Sequence, residues 1–192
     1  MQVDLFGHTL TFQTDPALFS SSAPDRGTLA MLSAARIQPD ERVLDLGCGW
    51  GLVAVIAAKL AGERNVAALD HDERAVALTR ENAAQNGVGG IRVILSDGFR
   101  NLDESGFDCI LCNPPYNADF SVAKHFIEKG FNRLAMGGRM LMVVKRRSWY
   151  ENKLRAIFGG VTIKEIDGYA VLEAERRTAQ YAAKPKEKAR NR

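Results

Sequence analysis

The chain has 192 residues, of which 46% are hydrophobic and 26% charged, and it carries a formal net charge of +3. That length suits one ordinary domain able to bury roughly 70% of its unfolded surface, and the composition excludes a disordered chain. No apolar run reaches the ~18 residues a membrane span needs, and the opening MQVDLFGHTL lacks the basic start and apolar stretch of a secretion signal, so a cytoplasmic protein is expected.

The first dozen residues predict a small hairpin. Leu5, Leu10 and Phe12 are spaced for one face, and Gly7-His8 supplies the turn. A polar loop, SSSAPDRG, leads into a helix expected over 27–36. From Arg42 the pattern alternates. RVLDL reads as a buried strand, then Leu52, Val55, Ile56 and Leu60 fall at helical spacing. NVAALD is a second strand. Asp72 and Glu73 favour the start of a helix ending at Asn86-Gly87, where glycine can take the left-handed cap. IRVILSD and DCILCN are the third and fourth strands.

A helix expected over 119–134 puts Phe126, Ile127, Phe131 and Leu134 on one face, and Gly137-Gly138 should break it before a fifth strand, RMLMVV. Leu154, Ile157 and Phe158 mark a short helix. VTIKEI and YAVLEA then flank Asp167-Gly168, a strong hairpin signal. Such alternation implies an α/β fold, with a parallel sheet, helices on both faces and an antiparallel strand added by the closing hairpin. A single domain is expected over residues 1–175.

Cys109 and Cys112 have redox-motif spacing, but three apart on a strand they point to opposite faces, so buried inert thiols are expected. His8, His71 and His125 are too scattered to suggest a metal. From Arg176 onward seven bases stand against one acid. That segment is +6, which leaves residues 1–175 with 19 bases against 22 acids, or −3. A basic, flexible tail over 176–192 suits a polyanion, and it equally suits solubility.

The run Val43-Leu44-Asp45-Leu46-Gly47-Cys48-Gly49-Trp50-Gly51 takes a buried strand into a glycine-rich turn that opens a helix. Ligands of open α/β sheets collect at such strand ends. The spacing G-x-G-x-G differs from that of dinucleotide sites, and Asp45 would repel a pyrophosphate while receiving the ammonium of an amino-acid-like ligand. Asp70, ending the second strand, is placed to accept from ribose hydroxyls. Asp97, ending the third with Gly98 beside it, can accept from an adenine amino group.

After the fourth strand comes Asn113-Pro114-Pro115-Tyr116. A conjugated NH2 is a poor nucleophile because its lone pair is delocalised. Two acceptors, the Asn113 side-chain oxygen and the Pro114 carbonyl, could draw its hydrogens out of plane. Proline stiffens the loop without a competing N–H, and Tyr116 could stack on a planar substrate. Lys145, Arg146 and Arg147, followed by Trp149 and Tyr150, lie just past the fifth strand, near the site's rim, and are candidate substrate contacts.

VLDLGCGWG, Asp70, Asp97 and NPPY resemble class I S-adenosylmethionine (SAM) methyltransferases that modify amino groups. The whole chain is similar to the catalytic domain of the ribosomal small-subunit guanine-N2 methyltransferases. Within TFQTDPALFSSSAPDRGT, Phe19 and the Asp-x-Gly-Thr of Asp25, Gly27 and Thr28 match that family's approach segment. FGGVTIKEIDGYAVLEAER is similar to its closing hairpin.

The resemblance implies a Rossmann-like, doubly wound sheet of seven mostly parallel strands, the last antiparallel, with a small N-terminal hairpin extension. It implies SAM bound by Asp45, Gly47, Gly49, Gly51, Asp70, Asp97, Gly98 and Asn113. Asn113, Pro114 and Tyr116 would be catalytic, with Pro115, Phe19, Asp25 and Thr28 toward a guanine of ribosomal RNA or the small ribosomal subunit. No metal or membrane is implied, and monomer and homodimer stay open. Larger members carry a second, degenerate copy of the domain, which these residues do not contain, and a Gly-Lys pair after NPPY is replaced here by Asn117-Ala118. Glutamine amides and DNA adenine are alternative acceptors. A non-catalytic SAM- or RNA-binding module is a third reading, and a nicotinamide oxidoreductase leaves NPPY unexplained.

Overall fold

The structure is a computed structural model that describes residues 1–18, 20–115 and 120–182. A separate hairpin, β1 (Gln2–Leu5) with β2 (His8–Thr11), precedes α1 (Arg26–Ala35). The alternating part follows as β3 (Val43–Leu46), α2 (Leu52–Ala61), β4 (Val66–Asp70), α3 (Glu73–Gln85), β5 (Arg92–Leu95) and β6 (Phe107–Cys112). It continues through α4 (Phe120–Arg133), β7 (Leu134–Val144), α5 (Arg147–Phe158), β8 (Thr162–Ile166) and β9 (Tyr169–Glu175).

Seven strands form one sheet in the order β5-β4-β3-β6-β7-β9-β8. The pairs from β5 to β7 are parallel, and β9 runs antiparallel to both of its neighbours. This is the doubly wound fold expected from the alternation. Asp167 and Gly168 both take positive φ, 52° and 80°, as the tight hairpin turn requires.

Strand residues alternate between two cores. Val43, Cys109, Leu111 and Val143 meet Met31, Val55 and Ile56 of α1 and α2 on one face. Leu44, Ile110, Cys112 and Met142 meet Ile127, Phe131 and Leu154 of α4 and α5 on the other. Cys109 and Cys112 therefore do point apart, each fully buried, and burial pushes the Cys109 thiol up to about 12. Among the described residues, no helix is long and apolar enough to cross a membrane.

One expectation needs correction. Gly137-Gly138 does not end the fourth helix. That helix stops at Arg133, and the strand begins at once, with Gly137 left-handed at φ 81° inside an irregular register. A Cβ at Gly138 would lie 2.6 Å from the Phe107 carbonyl, so the pair makes a bulge where two strands close on each other.

The first residues of the basic segment make contacts with the domain. The Arg176 amide donates to the Gly138 carbonyl, its guanidinium lies 4.9 Å over the Phe131 ring, and Tyr181 Oη donates to the Glu128 carbonyl. Residues 183–192 of the expected tail lie outside the described residues.

The N-terminal segment is strapped to α3. Asn82 donates to the carbonyls of Gln13 and Trp50 and accepts from the Gln13 amide, and Asn86 does the same for both backbone groups of Thr11. Beyond that strap, Ala17, Leu18, Ser20 and Asp25 come beside Gly47, Asp70 and Asn113 at the carboxyl ends of the strands.

Candidate active site

The chain leaves β3 toward β4 on one side and β6 toward β7 on the other, so a crevice opens between β3 and β6. There the structure has a cavity of about 570 Å³, lined by Gly47, Asp70, Asp97 and Asn113 among others. These four residues follow or end β3, β4, β5 and β6.

Gly47, Gly49 and Gly51 have φ of 86°, 54° and 93°, a region costly to other residues. At Gly51 space is a second constraint, because a Cβ would come within 3.0 Å of Thr79 Oγ1. The Gly47 and Cys48 amides donate to the Leu69 carbonyl, and the Gly49 amide to Asp70 Oδ2 at 2.9 Å. The glycine turn and Asp70 are thus one hydrogen-bonded unit. Asp70 Oδ1 takes the Asp72 amide at 3.0 Å, which fixes the carboxylate at the head of α3.

Asp45 lies beneath this turn, 3% exposed, and its Oδ2 has no hydrogen-bond partner among the described residues. Burial first, and then the charge of Asp70, push its carboxyl up to about 8 from an ordinary 3.8, against a backbone hydrogen bond from Ala54. Asp97 sits two residues beyond β5 and is exposed in the cavity wall. Gly98 packs against α4, where a Cβ would meet the His125 ring at 3.2 Å.

Asn113 leaves β6 into the same cavity. Its Nδ2 donates to Asp25 Oδ2 and to Thr28 Oγ1, both at 2.9 Å. Asn113 Oδ1 is buried and has no partner among the described residues. Asp25 caps α1, with Oδ2 also accepting from the Thr28 amide at 2.8 Å. Pro114 is buried and Pro115 exposed. Tyr116 and Phe19 lie outside the described residues.

A methyltransferase small domain model matches residues 9–173. The chain belongs to that family. It is 31% identical to the protein YbxB of Bacillus subtilis over 172 residues, 86% of each chain. It is 29% identical to ribosomal RNA small subunit methyltransferase C of Serratia proteamaculans, covering 93% of this chain and 52% of that one. Among solved structures, the Thermus thermophilus 16S ribosomal RNA guanine-N2 methyltransferase, bound to AdoMet and guanosine, superposes with a TM-score of 0.83. That match has 28% identity and covers 92% of this chain and 50% of the other. The chain therefore spans about half the length of these named enzymes.

The methyltransferase's cavity has the donor set for a nucleoside bearing an amino acid. The orphaned Asp45 oxygen calls for a cationic or hydrogen-bonding partner, and the three acids follow one another around the glycine turn. Two elements that the local motifs did not reveal complete the wall: Leu18 from the N-terminal strap, and Val122 and Phe126 of α4. Thr79 and Asn82 support it from below, Thr79 Oγ1 donating to the Gly49 carbonyl at 2.9 Å. Their signal was present, as polar residues on the face of α3 shared with Ala75, Val76 and Ala83.

Lys145, Arg146 and Arg147 are exposed, and none lines the cavity. Lys145 Nζ lies 5.2 Å over the Tyr169 ring, and Arg147 pairs with Glu151 and Glu165. Trp149 stacks on Phe120 with ring centroids 4.4 Å apart.

Proposed function

We propose that the protein transfers a methyl group from S-adenosyl-L-methionine to a ring-conjugated amino group, with guanine N2 of small-subunit ribosomal RNA as the acceptor. The observation that carries this reading is the Asn113 carboxamide. Its nitrogen is fully engaged, its oxygen is unpartnered, and it shares one cavity with Asp45, Asp70 and Asp97. The small-subunit enzymes among the relatives, and the guanosine in the Thermus complex, support this acceptor.

The cofactor supplies a sulfonium methyl that is electrophilic without help from a metal or acid. Asp45 would receive its ammonium, Asp70 its ribose and Asp97 its adenine. Asn113 Oδ1 and the Pro114 carbonyl would accept the hydrogens of the target amine, favouring the pyramidal nitrogen that gains charge in the transition state. Most of the rate then comes from orientation, and no strong base is required. The cluster of Lys145 and Arg146 and the Phe120–Trp149 stack would meet RNA around an unpaired guanine.

A second acceptor has its own support. Large-subunit methyltransferase G of Vibrio atlanticus is 25% identical over 188 residues, so large-subunit ribosomal RNA is the runner-up substrate. Incubation with labelled SAM and unmodified small- or large-subunit RNA, followed by nucleoside digestion, separates the two. Label in N2-methylguanosine from the small subunit is expected, and label elsewhere rejects the assignment. Asn113→Ala is expected to lower kcat at least about 100-fold while SAM affinity stays within a few-fold. A wild-type rate would remove Asn113 as the acceptor.

A further inference from the structure

We infer that Asp25, together with Thr28, is a positioning residue that sets which end of the Asn113 carboxamide faces the target nitrogen; this rests on the acceptor reading above. The two ends of an asparagine amide are close to isosteric, and half a turn about its last torsion exchanges an acceptor for a donor. In the wrong orientation Nδ2 would donate to the target nitrogen and occupy the lone pair that must attack the methyl group. Asp25, 88 residues earlier in the chain, decides it.

Both hydrogens of Asn113 Nδ2 are consumed, one by Asp25 Oδ2 and one by Thr28 Oγ1, each at 2.9 Å. Reversing the amide would set its oxygen against the Asp25 carboxylate and leave a buried acceptor facing an acceptor. Asp25 is itself held, because the same Oδ2 takes the Thr28 amide at 2.8 Å and the Thr28 hydroxyl at 3.2 Å. Gly27 between them is needed for closeness: a Cβ there would sit 2.9 Å from Asp25 Oδ2 and from the Tyr169 ring. Each member of the Asp-x-Gly-Thr segment thus has a separate task in one device, which uses the first turn of α1 to orient a group at the end of β6.

The test compares two substitutions. Asp25→Ser keeps a capping oxygen for α1 but ends one bond nearer the backbone, away from Asn113, whereas Asp25→Asn keeps an acceptor at the original position. With labelled SAM and unmodified small-subunit RNA, Asp25→Ser is expected to lower kcat about 10- to 100-fold with KM for SAM within about twofold. Asp25→Asn should recover the rate to within about fivefold of wild type.

The ¹⁵N side-chain amide signal of Asn113, read by NMR on the intact protein without RNA, gives a measure that does not need turnover. Its two hydrogens should exchange slowly in the wild type and in Asp25→Asn, and fast in Asp25→Ser. Fast exchange in the wild type overturns the inference whatever the acceptor proves to be. If Asn113→Ala is inactive while Asp25→Ser turns over normally, the inference falls and the acceptor reading stands. If Asn113→Ala is active, the acceptor reading falls, and the exchange data alone decide whether the amide is fixed. Equal losses in both Asp25 variants, with weakened SAM binding, would reduce Asp25 to a structural residue.

Discussion

Between its ordinary 3.8 and about 8, the native Asp45 carboxyl holds a proton that the unfolded chain has released, since burial and Asp70 raise it in the fold alone. The native state binds more protons over that range, so stability falls as pH rises through it and levels off above about 8. Asp45→Asn removes that penalty. It is expected to stabilise the ligand-free protein at pH 8 by about 2 kcal/mol, roughly 4–8 °C in melting temperature, with a smaller gain near pH 5. The same variant should lose most of its SAM affinity by calorimetry, because the group it neutralises is the proposed seat of the ammonium. A melting temperature that is unchanged at both pH values would refute the account. At this scale the acids and glycines of the cradle were legible, because each is local to one strand end. The Asn113–Asp25 pairing was not, since no short-range pattern joins residues from α1 and β6 across the sheet.

At the scale of elements, the alternation of strands and helices was readable because each piece carries its own period and its own turn residues. The start of β7 was misread for a physical reason. Its first residues are held by distant backbone, with Gly137 donating to the Arg176 carbonyl and Arg176 to that of Gly138, and this pairing overrides the glycines' tendency to end structure. The strap of residues 11–13 on α3 was hidden in the same way, since Asn82 and Asn86 stand in for the edge of a neighbouring strand. Asn82 is fully buried, and its amide serves three backbone groups, one of them the carbonyl of Trp50 in the glycine turn. Asn82→Ala would strand those groups and leave a small void. A loss of about 3 kcal/mol, roughly 6–12 °C in melting temperature, is expected by thermal unfolding. Faster proteolysis should appear within 13–25, which Asn82 anchors, and a loss confined to other segments would show that the strap is held elsewhere.

For the molecule as a whole, the proposed RNA substrate is a polyanion, whereas residues 1–175 carry a net charge of −3. Arg147 is already engaged with Glu151 and Glu165, and Arg176 lies against Phe131 and the carbonyl of Leu134, so much of the basic charge nearest the fold is committed. On that proposal the attraction would come largely from residues 183–192, which hold five bases and one acid and lie outside the described residues. Counterion release makes this measurable, because each phosphate neutralised contributes about 0.7–0.9 to the slope of log affinity against log salt. Deleting residues 183–192 is expected to weaken small-subunit RNA binding and lower that slope by about 2–4, as read by fluorescence anisotropy over a salt series. The effect should fade as salt rises, and kcat at saturating RNA should stay within about twofold, because the cavity and the Asn113 amide are untouched. A deletion that leaves the slope unchanged would move the phosphate contacts to the body, with Lys145 and Arg146 at the head of α5 the first cations to substitute.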